Sequence, residues 1–137
     1  MSTFAANLKQ LPRISHLAAL ELIAADDTVA ARIENRQGQT GSLAVYNHLG
    51  QIFGAITADA AKKGLEIFAE HTEDARSNPG KHPNIDRLLA LAAGGGEMFR
   101  VKHHFAISAD DAIVVTTTDA TSFVGQRSKP PLLASRL

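Results

Sequence analysis

The chain has no cysteine and no tryptophan, and only one tyrosine among 137 residues. Without cysteine there can be no disulfide, no thiolate zinc site and no cysteine nucleophile. Net charge is also missing: fourteen Lys and Arg balance fourteen Asp and Glu, giving +0. Nucleic-acid binders carry a basic surplus, because neutralising phosphates supplies much of their affinity. A single tyrosine offers little surface on which bases could stack, so nucleic acid is not an expected partner. No stretch approaches the roughly 20 apolar residues of a membrane helix. Residues 1–13, MSTFAANLKQLPR, lack the basic region and apolar run of a signal peptide. The expectation is a soluble, cytoplasmic protein with no membrane partner.

What the chain does have is an ordinary globular balance, 45% hydrophobic and 20% charged. At this length one domain can bury roughly two-thirds of the surface its unfolded chain exposes. Residues 17–25 alternate, with Leu20, Leu22 and Ala24 on one side and Glu21, Ile23 and Ala25 on the other. Residues 28–35 alternate too, and Asp26-Asp27 lies between them as a turn, since Asp tolerates positive φ. This predicts a β-hairpin. Residues 99–107 alternate in the same way, and a second Asp-Asp pair, Asp110-Asp111, precedes the β-branched run 112–118. A second hairpin is therefore expected there.

The middle of the chain has helical spacing. A short amphipathic piece, with Phe4, Leu8 and Leu11 at helical steps, precedes Pro12. Val45, Tyr46, Leu49, Ile52 and Phe53 share one face of a helix that Ser42 is expected to cap and Gly54 to end. Thr57 is the next cap candidate, and Ala61, Leu65, Phe68, Thr72 and Ala75 continue one face without a break. Asn78-Pro79-Gly80 stops that helix, and Pro83 opens a third one with His82 as its cap residue. The fold class expected is α+β: two β-hairpins flanking a helical middle, in a single antiparallel sheet with helices on one face. Residues 1–118 would form one α+β domain and residues 119–137 a loosely ordered tail.

Polar chemistry is densest at residues 70–89, EHTEDARSNPGKHPNIDRLL, where two helices meet at a loop. Such junctions often carry binding or catalytic groups. One reading is a divalent metal site, with His71, Asp74, His82 and Asp86 as imidazole and carboxylate ligands. The spacings of three and four residues would let each pair share a helix face, but no HExxH fingerprint is present. A second reading is a small anionic ligand held by Lys81, His82, Asn84 and Arg87 at the start of the third helix. No phosphate-binding loop pattern strengthens it. The plainer reading of both sets is helix capping and ion pairing with Arg76, Lys81 and Arg87, and it is favoured because helix ends commonly carry such residues. His103-His104 cannot readily chelate one ion, since neighbours on a strand face opposite sides. No GxSxG elbow supports serine hydrolase chemistry.

Three segments together carry a family resemblance: Gly41-Ser42-Leu43-Ala44-Val45-Tyr46, Ala69-Glu70-His71-Thr72, and Pro79-Gly80-Lys81-His82-Pro83-Asn84-Ile85-Asp86-Arg87-Leu88. With them the chain resembles a family of short bacterial proteins, domain of unknown function 2322, from about residue 4 to residue 101. The resemblance implies a bacterial cytoplasmic protein and brings no activity or cofactor with it. The function expected is a small ligand- or protein-binding module acting as an oligomer, self-associating through its C-terminal hairpin. The rival is a small metal- or anion-dependent enzyme centred on His71, His82 and Asp86.

Overall fold

In the computed structural model the residues described are 3–94 and 96–106. In chain order they form α1 (Phe4–Leu8), β1 (Leu17–Ile23), β2 (Val29–Glu34), α2 (Thr40–Phe53), α3 (Ala58–Phe68), α4 (Glu70–Ser77), α5 (Pro83–Ala92) and β3 (Arg100–Phe105). The three strands make one antiparallel sheet in the order β2-β1-β3. The fold is therefore α+β, as the sequence pattern predicts.

The first hairpin follows from its alternation. Leu20 pairs with Ile33 on one side and His103 on the other, and Leu22 pairs with Ala31 and Val101. Leu20, Leu22 and Ile33 are fully buried beneath α2. The opposite face is polar: Glu21 lies 3.4 Å from Arg32 and 2.8 Å from His104. Asp26 closes the turn by accepting from the Thr28 amide and hydroxyl at 3.1 and 2.6 Å, and Asp27 takes φ 69. Of the expected second hairpin, the first strand is β3, which joins β1. The segment 112–118 and the expected tail lie outside the described residues.

Two expectations about the helices are corrected. The helix expected to start after Ser42 begins at Thr40 instead. The Thr40 hydroxyl donates to the Arg36 carbonyl at 2.9 Å, anchoring the first turn three residues early and leaving Ser42 inside the helix. The apolar face expected to run unbroken from Ala61 to Ala75 is interrupted at Ala69, with φ 52 and ψ -117. The Thr72 hydroxyl donates to the Leu65 carbonyl at 2.6 Å, so a carbonyl left without an intrahelical donor still has a partner. Phe68, Thr72 and Ala75 stay buried across the break, which is why the spacing looks continuous in sequence.

Gly54 ends α2 in the left-handed conformation and Thr57 caps α3, both as expected. Gly64 on α3 serves close approach: a Cβ there would lie 2.8 Å from Leu88 Cδ1 and 2.9 Å from Leu49 Cδ1. α2, α3 and α5 therefore meet at a point where no side chain fits. Ala69 carries strain that a glycine would not, because positive φ crowds its Cβ. Ala69→Gly is expected to raise unfolding free energy by about 1 kcal/mol, the relieved strain exceeding the entropy added to the unfolded chain. Urea denaturation checks this, and a loss of stability would show that the Ala69 methyl holds a contact that outweighs the strain.

Candidate functional site

Asp74 in the last turn of α4 organises the junction. His82 Nε2 donates to its Oδ2 at 2.6 Å and Lys81 Nζ lies 3.0 Å from the same oxygen. Asn78 Nδ2 donates to its Oδ1 at 3.0 Å. The bonds from His82, the larger effect, and Lys81 hold the Asp74 carboxyl at about 2, below its ordinary 3.8. The folded-state value is depressed, so the resulting stability is complete above pH 3.8 and is lost as pH falls towards 2. The melting temperature of wild type is therefore expected to exceed that of Asp74→Asn at pH 5, with the gap closing between pH 3.8 and 2. A gap that does not change over that window would contradict the assignment.

Asp86 is turned away from this group and accepts from the Gly80 amide at 2.9 Å. His71 lies edge-on to Phe4, with ring centroids 5.0 Å apart, and 5.9 Å from the His82 ring. Of the four metal-ligand candidates, only Asp74 and His82 are in direct contact. Among the described residues no three His, Asp or Glu side chains are grouped as metal ligands would be. His103 and His104 face opposite ways: His103 Nε2 lies 3.2 Å from Asn47 Oδ1, and His104 contacts Glu21.

The anion-ligand candidates divide. Lys81, His82 and Asn84 line a cleft of about 420 Å³, together with His71 and with Thr40, Gly41 and Ser42 from the start of α2. Arg87 instead reaches Tyr46 Oη at 3.1 Å and Asn84 Oδ1 at 2.9 Å. Tyr46 is fully buried, and its hydroxyl donates to the Asn84 carbonyl at 2.5 Å. Burial pushes that phenol up to about 12. Tyr46 and Arg87 thus brace the first turn of α5 against α2 and stand behind the cleft wall.

Two helix N-termini therefore face one cavity. The amides of Gly41, Ser42 and Asn84 have no hydrogen-bond partner among the described residues. Such amides carry the positive end of the helix dipole. Lys81 has three donors, of which Asp74 engages one. The opposite wall is apolar, with Phe4, Leu8, Phe68 and Ile85. A larger depression of about 900 Å³ beside α3 and α4 differs in kind. Its carboxylates Glu66, Glu70 and Glu73 are engaged by Lys63, the Phe4 amide and Arg76.

The α4–α5 half of the cleft, with His71, Lys81, His82 and Asn84, is legible in the sequence, and the half from α1 and α2, with Phe4, Leu8, Gly41 and Ser42, is not. By sequence Gly41 and Ser42 read only as family-like residues and a helix cap. Nothing local in the sequence signals that they lie beside residues forty positions later.

No described helix is long and apolar enough to cross a membrane. A family model described as an uncharacterized protein conserved in bacteria, domain of unknown function 2322, matches residues 4–103, and the chain belongs to that family. The matched span takes in every residue that lines the cleft. No curated protein and no solved structure matches the chain.

Proposed function

We propose that this chain, as a member of that bacterial family, is a binding module for a small anion, held in the cleft between the first turns of α2 and α5. The observation that carries this reading is the convergence of the unpartnered Gly41, Ser42 and Asn84 amides with Lys81 and His82 on one cavity. Helix N-termini favour negative charge through their free amides and dipole. A volume of about 420 Å³ lies within the range of small-molecule sites. The anion is a phosphate or carboxylate group, which accepts several hydrogen bonds at once. His82, oriented by Asp74, supplies a further donor or acceptor through Nδ1, which has no partner among the described residues.

Calorimetric titration with inorganic phosphate tests the reading. Lys81→Ala is expected to weaken binding about fivefold, as removal of an exposed charge worth ~1 kcal/mol implies. Raising salt should weaken binding further. Identical affinity in wild type and Lys81→Ala would remove Lys81 from the site, and no saturable heat in either would end the proposal.

Self-association is a second reading. Phe105 and Met98 are 62% and 54% exposed, and β3 has a strand partner on one side only among the described residues. An open apolar edge favours pairing with another chain. Light scattering at micromolar concentration should then give at least twice the monomer mass, and a strict monomer would refute it.

A further inference from the structure

The geometry points to two copies of this chain pairing antiparallel through the free edge of β3, about a twofold axis at His103. This inference rests on the self-association reading and adds the register and the axis. Backbone bonds at the two ends of β3 define the edge. Phe99 bridges Ile56 rather than β1, donating at 3.1 Å and accepting at 2.8 Å. Ala106 donates in the other direction, to the His16 carbonyl at 2.8 Å beside β1. The backbone groups of successive strand residues point to alternate sides. Arg100, Lys102 and His104 therefore bond β1, while Val101, His103 and Phe105 point outward. Those outward amides and carbonyls have no partner among the described residues.

A free edge accepts an added strand. The bridge at Phe99 stops such a strand, so the available edge runs over Val101, His103 and Phe105. A second β3 matches it when the axis passes through His103. His103 then bonds the partner's His103, Val101 bonds the partner's Phe105, and Phe105 bonds the partner's Val101. Every outward backbone group is used. An axis at Lys102 would set Phe99, already bonded to Ile56, against the partner's Phe105. An axis at His104 would leave Val101 opposite residue 107, past the end of β3.

The side chains favour the same register, because directly opposed residues share one face of the sheet. On the helix side, Val101 packs on Gly50 of α2, where a Cβ would lie 3.2 Å from Val101 Cγ2. Phe105 is 62% exposed, and its ring stacks on His103 with centroids 6.0 Å apart. The pairing sets the partner's Val101 beside this exposed ring. On the other face Lys102 meets the partner's His104, and His104 is bound to Glu21 at 2.8 Å. The lysine thus faces an imidazole held by a carboxylate, whereas an axis at Lys102 would oppose two lysines.

The chain has no cysteine, so an introduced thiol reports its own neighbour. Hydrogen-bonded antiparallel pairs place Cα atoms about 5.5 Å apart, within disulfide range. Air oxidation of His103→Cys is expected to give a covalent dimer, which traps the pair even where the equilibrium is weak. Lys102→Cys and His104→Cys are each expected to stay uncrosslinked alone, since a residue and its own copy then lie diagonally, beyond about 7 Å. Mixed together, those two should cross-link, which supplies the readout if His103→Cys fails to fold. Phe105→Pro removes an outward amide and no bond to β1, so thermal melts should show it folded while light scattering shows the dimer lost. Dimer mass with cross-linking of Lys102→Cys alone, and none of His103→Cys, would overturn this register and leave self-association standing. Monomer mass with no cross-link would overturn both. Protection of the His103 amide from exchange in that monomer would assign the edge to another segment of the same chain.

Discussion

Leu49→Ala is expected to destabilise the protein by about 2–5 kcal/mol, and adding Gly64→Ala should recover part of that loss. Leu49 is fully buried, and its Cδ1 would lie 2.9 Å from a Cβ at position 64. Truncating it opens a cavity between α2 and α3, into which an alanine methyl at 64 fits. In the wild-type background Gly64→Ala acts in two directions. Helix propensity favours alanine by about 1 kcal/mol. Overpacking against Leu88 and Leu49 costs about 1–3 kcal/mol. The single change should therefore be neutral to destabilising, and the double change less damaging than the sum of the two. Urea denaturation of all four proteins gives the coupling. Additivity within about 0.5 kcal/mol would mean that the two positions do not share the space the packing indicates.

Tyr46→Phe is expected to cost about 1–3 kcal/mol, the usual penalty for leaving a buried partner without its hydrogen bond. The hydroxyl connects α2 to the Asn84 carbonyl at 2.5 Å and is contacted by Arg87 at 3.1 Å. Asn84 also presents an unpartnered amide to the cleft, so loosening its carbonyl should disturb ligand geometry. Phosphate affinity is expected to fall together with stability. A stability loss with unchanged affinity would show that the first turn of α5 is held by other contacts. Burial raises the folded-state value of this phenol from 10 to about 12, so the stability it confers is complete below pH 10 and is lost as pH rises towards 12. The gap between wild type and Tyr46→Phe should narrow over that interval.

The parts of the fold legible in sequence are those set by local chemistry. Leu20, Leu22 and Ile33 alternate because one face of the sheet is buried, and Asp26-Asp27 supplies the turn. Pro83 at the first position of α5 fixes that boundary, because its fixed φ suits a helix start. The break at Ala69 was not legible, since alanine is a helix former and gives no turn signal. It depends on the Thr72 hydroxyl and the packing of Phe68, which are tertiary facts. Ser42 is a cap residue by type, but the turn at Arg36 starts the helix at Thr40 and puts Gln39 at the cap position.

The site divides along the same line. The density of charge at residues 70–89 marks the α4–α5 junction, and His82, Lys81 and Asn84 do line the cleft. Sequence proximity groups Arg87 with them, but the buried Tyr46 hydroxyl draws its guanidinium aside. Phe4, Gly41 and Ser42 reach the cleft only through long-range packing, and no spacing rule connects them to His82.

The central claim is that the first turns of α2 and α5 together hold an anion. Amide chemical shifts of the full chain, followed as inorganic phosphate is added, test it most directly. Saturable shifts of Gly41, Ser42 and Asn84 with one common dissociation constant, weakened by Lys81→Ala, are the predicted result. Shifts confined to scattered surface lysines, or none at these three amides, would contradict it.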